Sequence, residues 1–562
     1  MPDGVGSAPV KLSGVETLKA TSHHLRGDLA AELASPGLQV SEDGYNLLKF
    51  HGSYEQFDRD TATARKQRGE QKEYQFMLRV RMPGGRLTAE QYLALDALTD
   101  EFGNGSMRIT TRQGVQFHGI IKGDLKPSVA RINDTLLTTQ AACGDVVRNV
   151  MTTPAPVADA VHARLLADAR MLSEALLPKS RAYHQIFLDE AATEGDDEVE
   201  PLYGNTYLPR KFKIGVIVAS DNTADVLTND LGIIAVWDDG ALTGYNVAVG
   251  GGLGMTHNRA GTFPRMADIV GSVGPGELLA VSEAVIRLQR DHGNRADRKR
   301  ARLKYVIADL GTDWFRAALV PYLGRPLGPV LPMPPLAVPD LLGWHAQGDG
   351  RWWLGVPVAS GRIDGAIRVA LREVIDRWRP TPIMTPQQDI FLADIADADR
   401  AGVELALRGH GIRLREDLSM MERWTLACPA LPTCGLALTE AERVRGPLIA
   451  QVEQALGRHG LLGERISLRI TGCPNGCARS YAGDIGLVGR VPGSYAVYVG
   501  GDFEGTRLSY RLHDRVPEAA IGDTLAPVMA AFATGRVHGE GFGDFCHRLG
   551  REEVLALSSN GH

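Results

Sequence analysis

Arg108-Ile109-Thr110-Thr111-Arg112-Gln113-Gly114-Val115-Gln116-Phe117 returns, altered but in order, as Pro382-Ile383-Met384-Thr385-Pro386-Gln387-Gln388-Asp389-Ile390-Phe391. Ile, Thr, Gln and Phe fall at matching offsets. The flanks repeat as well. Residues 76–81 alternate as a strand, Pro83-Gly84-Gly85 turns it, and residues 88–102 place Tyr92, Leu95, Leu98 and Phe102 at helical spacing. Thr88 reads as the N-cap of that helix, with Gln91 three residues on. In the second copy residues 352–358 read as the strand, Gly361-Arg362-Ile363 as the turn and residues 366–378 as the helix. Farther on, Val247-Ala248-Val249-Gly250-Gly251 is echoed by Val497-Tyr498-Val499-Gly500-Gly501. Matches that keep their order over half a chain point to a duplicated α+β fold, a pseudo-dimer rather than a solenoid.

Working outward, the chain divides into a leader at 1–65, a first copy at 66–135 and 136–325, a Pro-rich linker at 326–345, and a second copy at 346–415 and 416–562. The leader carries a helical stretch near 25–33 and a strand candidate at 45–50. Further strands are expected at 107–111 and 115–121, and the acidic run 189–200 reads as a solvated loop. Where the first copy has Arg108 and Arg112, this alignment gives the second Pro382 and Pro386. The second copy has lost those cations but holds the clustered cysteines, so the halves are specialised around one shared site.

Bulk properties narrow the function classes. A length of 562 residues suits two to four domains. The net charge of −6, with both signs mixed along the chain, argues against nucleic acid or an anionic membrane as partner. The first 20 residues lack an apolar signal core, and no segment approaches the roughly 18 apolar residues of a membrane span. The cytoplasm is the expected compartment, where thiols stay reduced. In that setting clustered cysteines point to metal before disulfides.

Four of the six cysteines form two close pairs, Cys428-Pro-Ala-Leu-Pro-Thr-Cys434 and Cys473-Pro-Asn-Gly-Cys477. Four thiolates can hold Zn²⁺ or a cubane iron–sulfur cluster, and four buried cysteines can also be inert. Structural zinc favours two-residue knuckles, whereas these wider arcs suit a larger object. Pro429 and Pro474 each follow a ligand and stiffen the backbone, and Asn475-Gly476 supplies a tight turn. Cys143 and Cys546 have no sequence neighbour of their kind and read as structural.

Cations recur in structured segments. Lys211 and Lys213, two apart, face the same way on an extended strand. Arg108 and Arg112 share parity with Gln116 and His118 unless a turn at Gln113-Gly114 breaks the register, and a solvated sheet face explains such parity equally. His118 reads as a packed, hydrogen-bonded histidine. Residues 297–304 can form an exposed basic helix, leaving Arg298, Arg302 and Lys304 as weaker site candidates. Gly250-Gly251-Gly252-Leu253-Gly254 lacks the spacing of a phosphate loop and suits close approach to a flat ligand. No nicotinamide or flavin motif is present.

Thr471-Gly472-Cys473-Pro474-Asn475-Gly476-Cys477, with the upstream cysteine pair, resembles the signature of the sirohaem-dependent sulfite and nitrite reductases. The resemblance extends through Phe50-His51-Gly52, Met77-Leu78-Arg79, the stretch 108–119, Arg148-Asn149, residues 207–213, residues 249–252 and residues 294–299, and is strongest toward assimilatory sulfite reductase haemoproteins. It implies two ferredoxin-like half-domains (66–135 and 346–415) and two sirohaem and [4Fe–4S]-binding α+β domains (136–325 and 416–562). It further implies a [4Fe–4S] cluster on Cys428, Cys434, Cys473 and Cys477, with Cys477 also the axial ligand of the sirohaem iron. Arg79, Arg148, Lys211 and Lys213 become the substrate cations, and Arg108, Arg112, Gln116, Asn475 and Lys304 candidates for the sirohaem edge. The implied reaction is six-electron reduction of sulfite to sulfide, with nitrite reduction to ammonia as the alternative and a non-catalytic four-cysteine zinc protein as the distant one. Electrons must come from another protein, an NADPH-oxidising flavoprotein subunit by preference or a ferredoxin.

Overall fold

The computed structural model describes residues 11–191 and 200–559. In chain order its first copy contributes β1 (Ser53–Phe57), β2 (Tyr74–Arg79), β3 (Met107–Ile109), β4 (Val115–Ile120), β5 (Met151–Thr152), β6 (Ile214–Val218), β7 (Leu231–Asp238), β8 (Ala241–Val249) and β9 (Asp268–Val273). The second contributes β10 (Gly343–Ala346), β11 (Arg351–Val356), β12 (Arg362–Ile363), β13 (Thr381–Met384), β14 (Ile390–Ala396), β15 (Thr425–Ala427), β16 (Leu468–Thr471), β17 (Ile485–Val491), β18 (Ser494–Val499) and β19 (Tyr510–Pro517).

These strands build four sheets that match in pairs. The order β1-β2-β4-β3 is antiparallel throughout, and β10-β11-β14-β13 repeats it. The order β5-β6-β7-β8-β9 is parallel across its first three strands and antiparallel across the rest, and β15-β16-β17-β18-β19 does the same. Gly250 and Gly500 leave β8 and β18 with φ of 81° and 84°, so that echo in the sequence is a true structural equivalence.

The half-domain repeat needs a one-residue correction. Ile109 lies opposite Val115 and Met384 opposite Ile390, and the turns close through Gln113 N–H to Thr110 O and Gln388 N–H to Thr385 O, both 3.1 Å. Backbone hydrogen bonding, not letter coincidence, sets the register. Gln113 therefore corresponds to Gln388, and Arg108 and Arg112 correspond to Ile383 and Gln387 rather than to the two prolines. The loss of cations from the second copy stands.

Each half-domain lends backbone to the other. β12 pairs with β3, placing Arg362 opposite Arg108, and Arg86 bridges reciprocally to Ile383. The seam admits no side chain at two glycines. Gly85 and Gly361 both have φ of 72°, and a Cβ would stand 2.1 Å from Met384 O and 2.3 Å from Ile109 O, respectively. Gln113 and Gln388 then fasten each half-domain to the strand that follows it. Gln113 donates to Gly84 O (3.2 Å) and accepts from Thr152 N–H (2.8 Å), while Gln388 donates to Ser360 O (3.0 Å) and accepts from Ala427 N–H (3.3 Å).

The helix Ala89–Glu101 starts with the expected reciprocal capping box of Thr88 and Gln91. The leader departs from expectation. Residues 45–50 are not a strand but the end of the helix Glu42–Leu48 and the turn Lys49–His51, because Ser41 accepts Gly44 N–H (2.9 Å) and caps the helix. Leu47 and Leu48 are both buried, an adjacency that a half-exposed strand could not provide. The Pro-rich run is not a free tether. Gly328 exchanges backbone hydrogen bonds with Ser272 (2.9 and 3.0 Å), and Ala337 N–H reaches Ala219 O (2.9 Å). Most of the acidic run, 192–199, lies outside the described residues. No described helix is long and apolar enough to cross a membrane.

Candidate anion and metal site

Register alone places a polar row across the first sheet. Arg79 on β2 faces Gln116 on β4, Gln116 faces Arg108 on β3, and Arg108 faces Arg362 on β12. The turn at 110–114 interrupts this face, so Arg112 does not share it. Arg79 donates to Gln116 Oε1 (2.5 and 3.2 Å) and to Cys143 Sγ (3.0 Å), which gives that cysteine a partner the sequence did not reveal. Gln116 contacts His118 (3.2 Å), and His118 contacts Gln56 (3.0 Å). Burial, aided by Arg362 and Arg108, pushes His118 down to about 3, so it remains a neutral hydrogen-bonding ring. Arg108 is 1 % exposed, paired with Glu442, and donates to Ala427 O (3.1 Å). Its charge is thus directed at the segment that leads into Cys428.

The remaining cations converge through two extended segments. Phe212 bridges Val147 in parallel, with Arg148 N–H on Phe212 O (2.9 Å), so Arg148 and the run Arg210-Lys211-Phe212-Lys213 lie side by side. Arg148 donates twice to Gly144 O (3.1 and 3.0 Å). Burial opposes its charge, while Tyr54, Cys143 and Asp145 hold it above the ordinary value. Lys211 and Lys213 flank buried Phe212 and are half-buried, with ammonium groups that make no hydrogen bond or ion pair among the described residues. Both are lowered well below a normal lysine, by burial first and then by cations. Arg210 and Arg148 act on Lys211, and Arg112 and Arg302 on Lys213. Cys477 acts on Lys213 in the opposite sense, which puts the fourth cysteine within electrostatic reach of the lysine pair.

Arg112 donates to Asn229 Oδ1 (2.8 Å), Asn149 O (2.7 Å) and Ile214 O (3.2 Å), and its buried Nε has no hydrogen-bond partner. Burial and Arg148 push it down to about 9. The basic stretch 297–304 is not an exposed helix. Arg298–Arg300 is a single turn, and Lys304, fully buried in the following helix Leu303–Leu310, directs its ammonium to the carbonyls of Gly252 (3.0 Å), Gly254 (2.8 Å) and Phe263. Those contacts use all three ammonium donors, two of them on the glycine loop. Arg302 closes that loop from beneath through Asp230 (2.7 Å) and Gly251 O (3.2 Å), and a Cβ on Gly252 would stand 2.4 Å from its guanidinium.

The cysteine loops reach this region from the second copy. Cys428 follows β15, and Cys473-Pro474-Asn475-Gly476-Cys477 follows β16, the parallel neighbour of β15. Thr111 Oγ1 donates to Cys477 O (3.1 Å), and Met255 N–H donates to Pro474 O (2.9 Å). From the leader, Arg59 reaches Cys434 O (3.2 Å). Burial raises Cys428 and Cys473, the latter to about 12, and the Cys477 thiol adds to both effects. Behind the loop, Asp225 accepts from Arg469 (2.6 Å) and pairs with Arg479 (2.9 Å), all three being buried. Sequence reading missed this clamp. Its only sequence trace is Arg469, set among the apolar residues of β16 where an unpaired charge could not stand.

The ferredoxin-like half-domain of nitrite and sulfite reductases matches residues 67–134 and 345–410, and the nitrite and sulfite reductase 4Fe-4S domain matches 143–327. A sulfite reductase [ferredoxin] of Synechococcus elongatus is 43% identical over 99% of this chain and 92% of its own. The chain belongs to the nitrite and sulfite reductase family. A sulfite reductase [NADPH] hemoprotein beta-component of Myxococcus xanthus is 45% identical over 96% of this chain and 97% of its own. The structure of Mycobacterium tuberculosis NirA superposes with a TM-score of 0.78, at 27% identity and 97% coverage of each chain.

The residues present fit the cofactors of this reductase family. Burial and the neighbouring Cys477 thiol raise Cys428, Cys434 and Cys473, so metal bound there takes the place of their protons. Among the described residues no three His, Cys, Asp or Glu side chains converge on a single ion, and a cubane needs its four ligands at separate corners. The glycine loop and the cations facing Cys477 offer a small-residue wall and positive charge to a flat polycarboxylate.

Proposed function

We propose that this chain is the haemoprotein of an assimilatory sulfite reductase, with Arg79, Arg148, Lys211 and Lys213 as the substrate cations. The observation that carries the assignment is the unpaired Lys211–Lys213 couple, crowded by arginines and within reach of Cys477. Such a site is electrostatically incomplete until an anion enters. Sulfite reduction consumes six electrons and six protons per sulfite and yields sulfide and three waters. Cys428, Cys434, Cys473 and Cys477 would hold the [4Fe–4S] cluster, which with the sirohaem would supply stored electrons and a redox-active iron to the bound anion.

The chain's own residues bind and protonate. Arg148 and Arg79 keep fixed charge and forked donors for the sulfite oxygens. Lys211 and Lys213, depressed by burial and neighbouring cations, give up protons more readily than a free lysine and so serve as donors while oxygen leaves as water. Within the same reading Arg112, with its unsatisfied Nε, along with Gln116 and Asn475, faces the sirohaem edge, whereas Arg108 and Lys304 fix the surrounding loops. The electron donor is a separate protein. Relatives of both the NADPH and ferredoxin types match over nearly the whole chain, and we favour the flavoprotein partner and a cytoplasmic setting.

Lys211→Met and Arg148→Ala should retain both cofactor absorbances and lose at least tenfold in turnover, about 1.4 kcal/mol of barrier. Wild-type turnover in both variants would refute the assignment of the cations. Comparison of kcat/KM for sulfite and nitrite tests the substrate, and a large preference for nitrite would overturn it.

A further inference from the structure

The N-terminal helix Gly14–Thr21 carries two charges into the interior. Lys19, with no exposed side-chain surface, donates to Glu16 Oε1 (2.5 Å) and Leu208 O (2.8 Å) and lies 3.8 Å from Asp145 Oδ2. Glu16 pairs with Arg295, which itself donates to Tyr207 O (2.7 Å). Asp145, also without exposed surface, accepts from Arg298 (2.5 and 3.0 Å) and pairs with Arg210 at 3.6 Å. Charges alternate in sign from Arg295 through Glu16 and Lys19 to Asp145 and its arginines.

This chain of charges ends on the two segments that bear the substrate cations. Asp145 lies three residues before Arg148, and its carbonyl accepts Leu208 N–H (3.1 Å). Leu208, the residue whose carbonyl Lys19 holds, lies three residues before Lys211. Gly144 fixes the approach from the leader, since a Cβ there would stand 2.8 Å from Phe50 Cα. Anchoring a helix to a core needs only apolar contact, and buried ion pairs are seldom the more stabilising choice. Three buried charges, Glu16, Lys19 and Asp145, instead determine where the two backbone segments they reach sit. Asp145 is held down to about 2 by Arg298, Lys19 and Arg210 despite its burial, so it stays ionised throughout the working range.

We infer that Lys19 and Glu16, acting through Asp145 and the Leu208 carbonyl, are positioning residues that set the Arg148 and Lys211–Lys213 segments at the spacing sulfite requires. The inference rests on the reading of those cations as the substrate site. It assigns the leader a part in binding through the placement of backbone, since its Lys19 and Glu16 side chains are buried.

The test is steady-state sulfite reduction by the holoenzyme with reduced methyl viologen as donor, together with the visible spectrum. Lys19→Met should raise the sulfite KM about fivefold or more, with kcat within twofold and cofactor absorbance unchanged. Wild-type KM in folded, cofactor-replete Lys19→Met would overturn the inference, as would a loss of kcat at constant KM. If Lys19→Met does not fold, the near-isosteric Asp145→Asn is read in its place by the same criteria. Lys211→Met, run in parallel, separates the two claims. If it behaves as wild type, the substrate-cation reading fails; if it alone is impaired, only the positioning role falls.

Discussion

Replacing Asp225 by alanine strands two buried arginines. Arg469 and Arg479 reach that carboxylate at 2.6 and 2.9 Å and are 3 % and 6 % exposed. Breaking a buried ion pair from one side costs about 3–5 kcal/mol, because the remaining charge keeps its desolvation penalty. Here two cations lose one partner, so the upper part of that range applies. Arg479 keeps its bonds to Thr223 O (2.9 Å) and Pro386 O (2.7 Å), whereas Arg469 has no other carboxylate within ion-pairing distance among the described residues. Arg479 lies two residues past Cys477, so the damage should be felt at the cysteine loop as well as in global stability. With a urea dependence of roughly 3 kcal/mol per molar, the unfolding midpoint of Asp225→Ala should fall by about 1.3–1.7 M. Loss of visible cofactor absorbance should precede loss of far-ultraviolet helix signal more clearly than in the wild type. A midpoint within about 0.3 M of wild type, or cofactor loss that still coincides with unfolding, would refute the clamp.

Two further outcomes follow from the fold and from the site. Gly85→Ala and Gly361→Ala, at equivalent places on the pseudo-dyad, should each cost at least the 1–2 kcal/mol of a left-handed non-glycine residue, and by similar amounts, as read by thermal melting; wild-type melting of either would contradict the reciprocal seam. Because burial and neighbouring cations lower Lys211 and Lys213, their protonated, proton-donating forms are lost as pH rises through depressed values. The alkaline limb of kcat/KM should therefore fall well below 10.5, and Lys211→Arg should shift it upward; an unmoved limb would mean that this lysine is not the titrating donor.

The duplication was legible because strand alternation and turn glycines leave a periodic trace that survives divergence. Its register was not, since the slipped alignment matches four letters over this stretch while the true one matches only Thr110 with Thr385 and Gln113 with Gln388, and the turn hydrogen bonds alone decide. The clustering of four cysteines was legible from spacing, whereas their role as cluster ligands rests on the resemblance. The lysine pair was legible as a parity, although its lack of counter-ions is a property of three dimensions. Lys304 looked like part of an exposed basic run because water ordinarily solvates consecutive Arg and Lys, and nothing local shows that carbonyls of the glycine loop hold its ammonium. The leader misled for a related reason. Tyr45 to Phe50 is apolar enough for either element, and the deciding signal, a serine cap at Ser41, lay four residues upstream.

The reciprocal loan of backbone between β12 and β3 bears on how such a molecule could arise. A chain cut at the Pro-rich run would leave the first fragment without the edge strand that places Arg362 beside Arg108, and the second without its bridge from Arg86. Neither fragment would be a miniature of the whole. Fusion of two like ancestors removed any need for them to find one another in solution. Within one chain the site arginines and the clustered thiols can be divided between the copies, since neither has to serve alone.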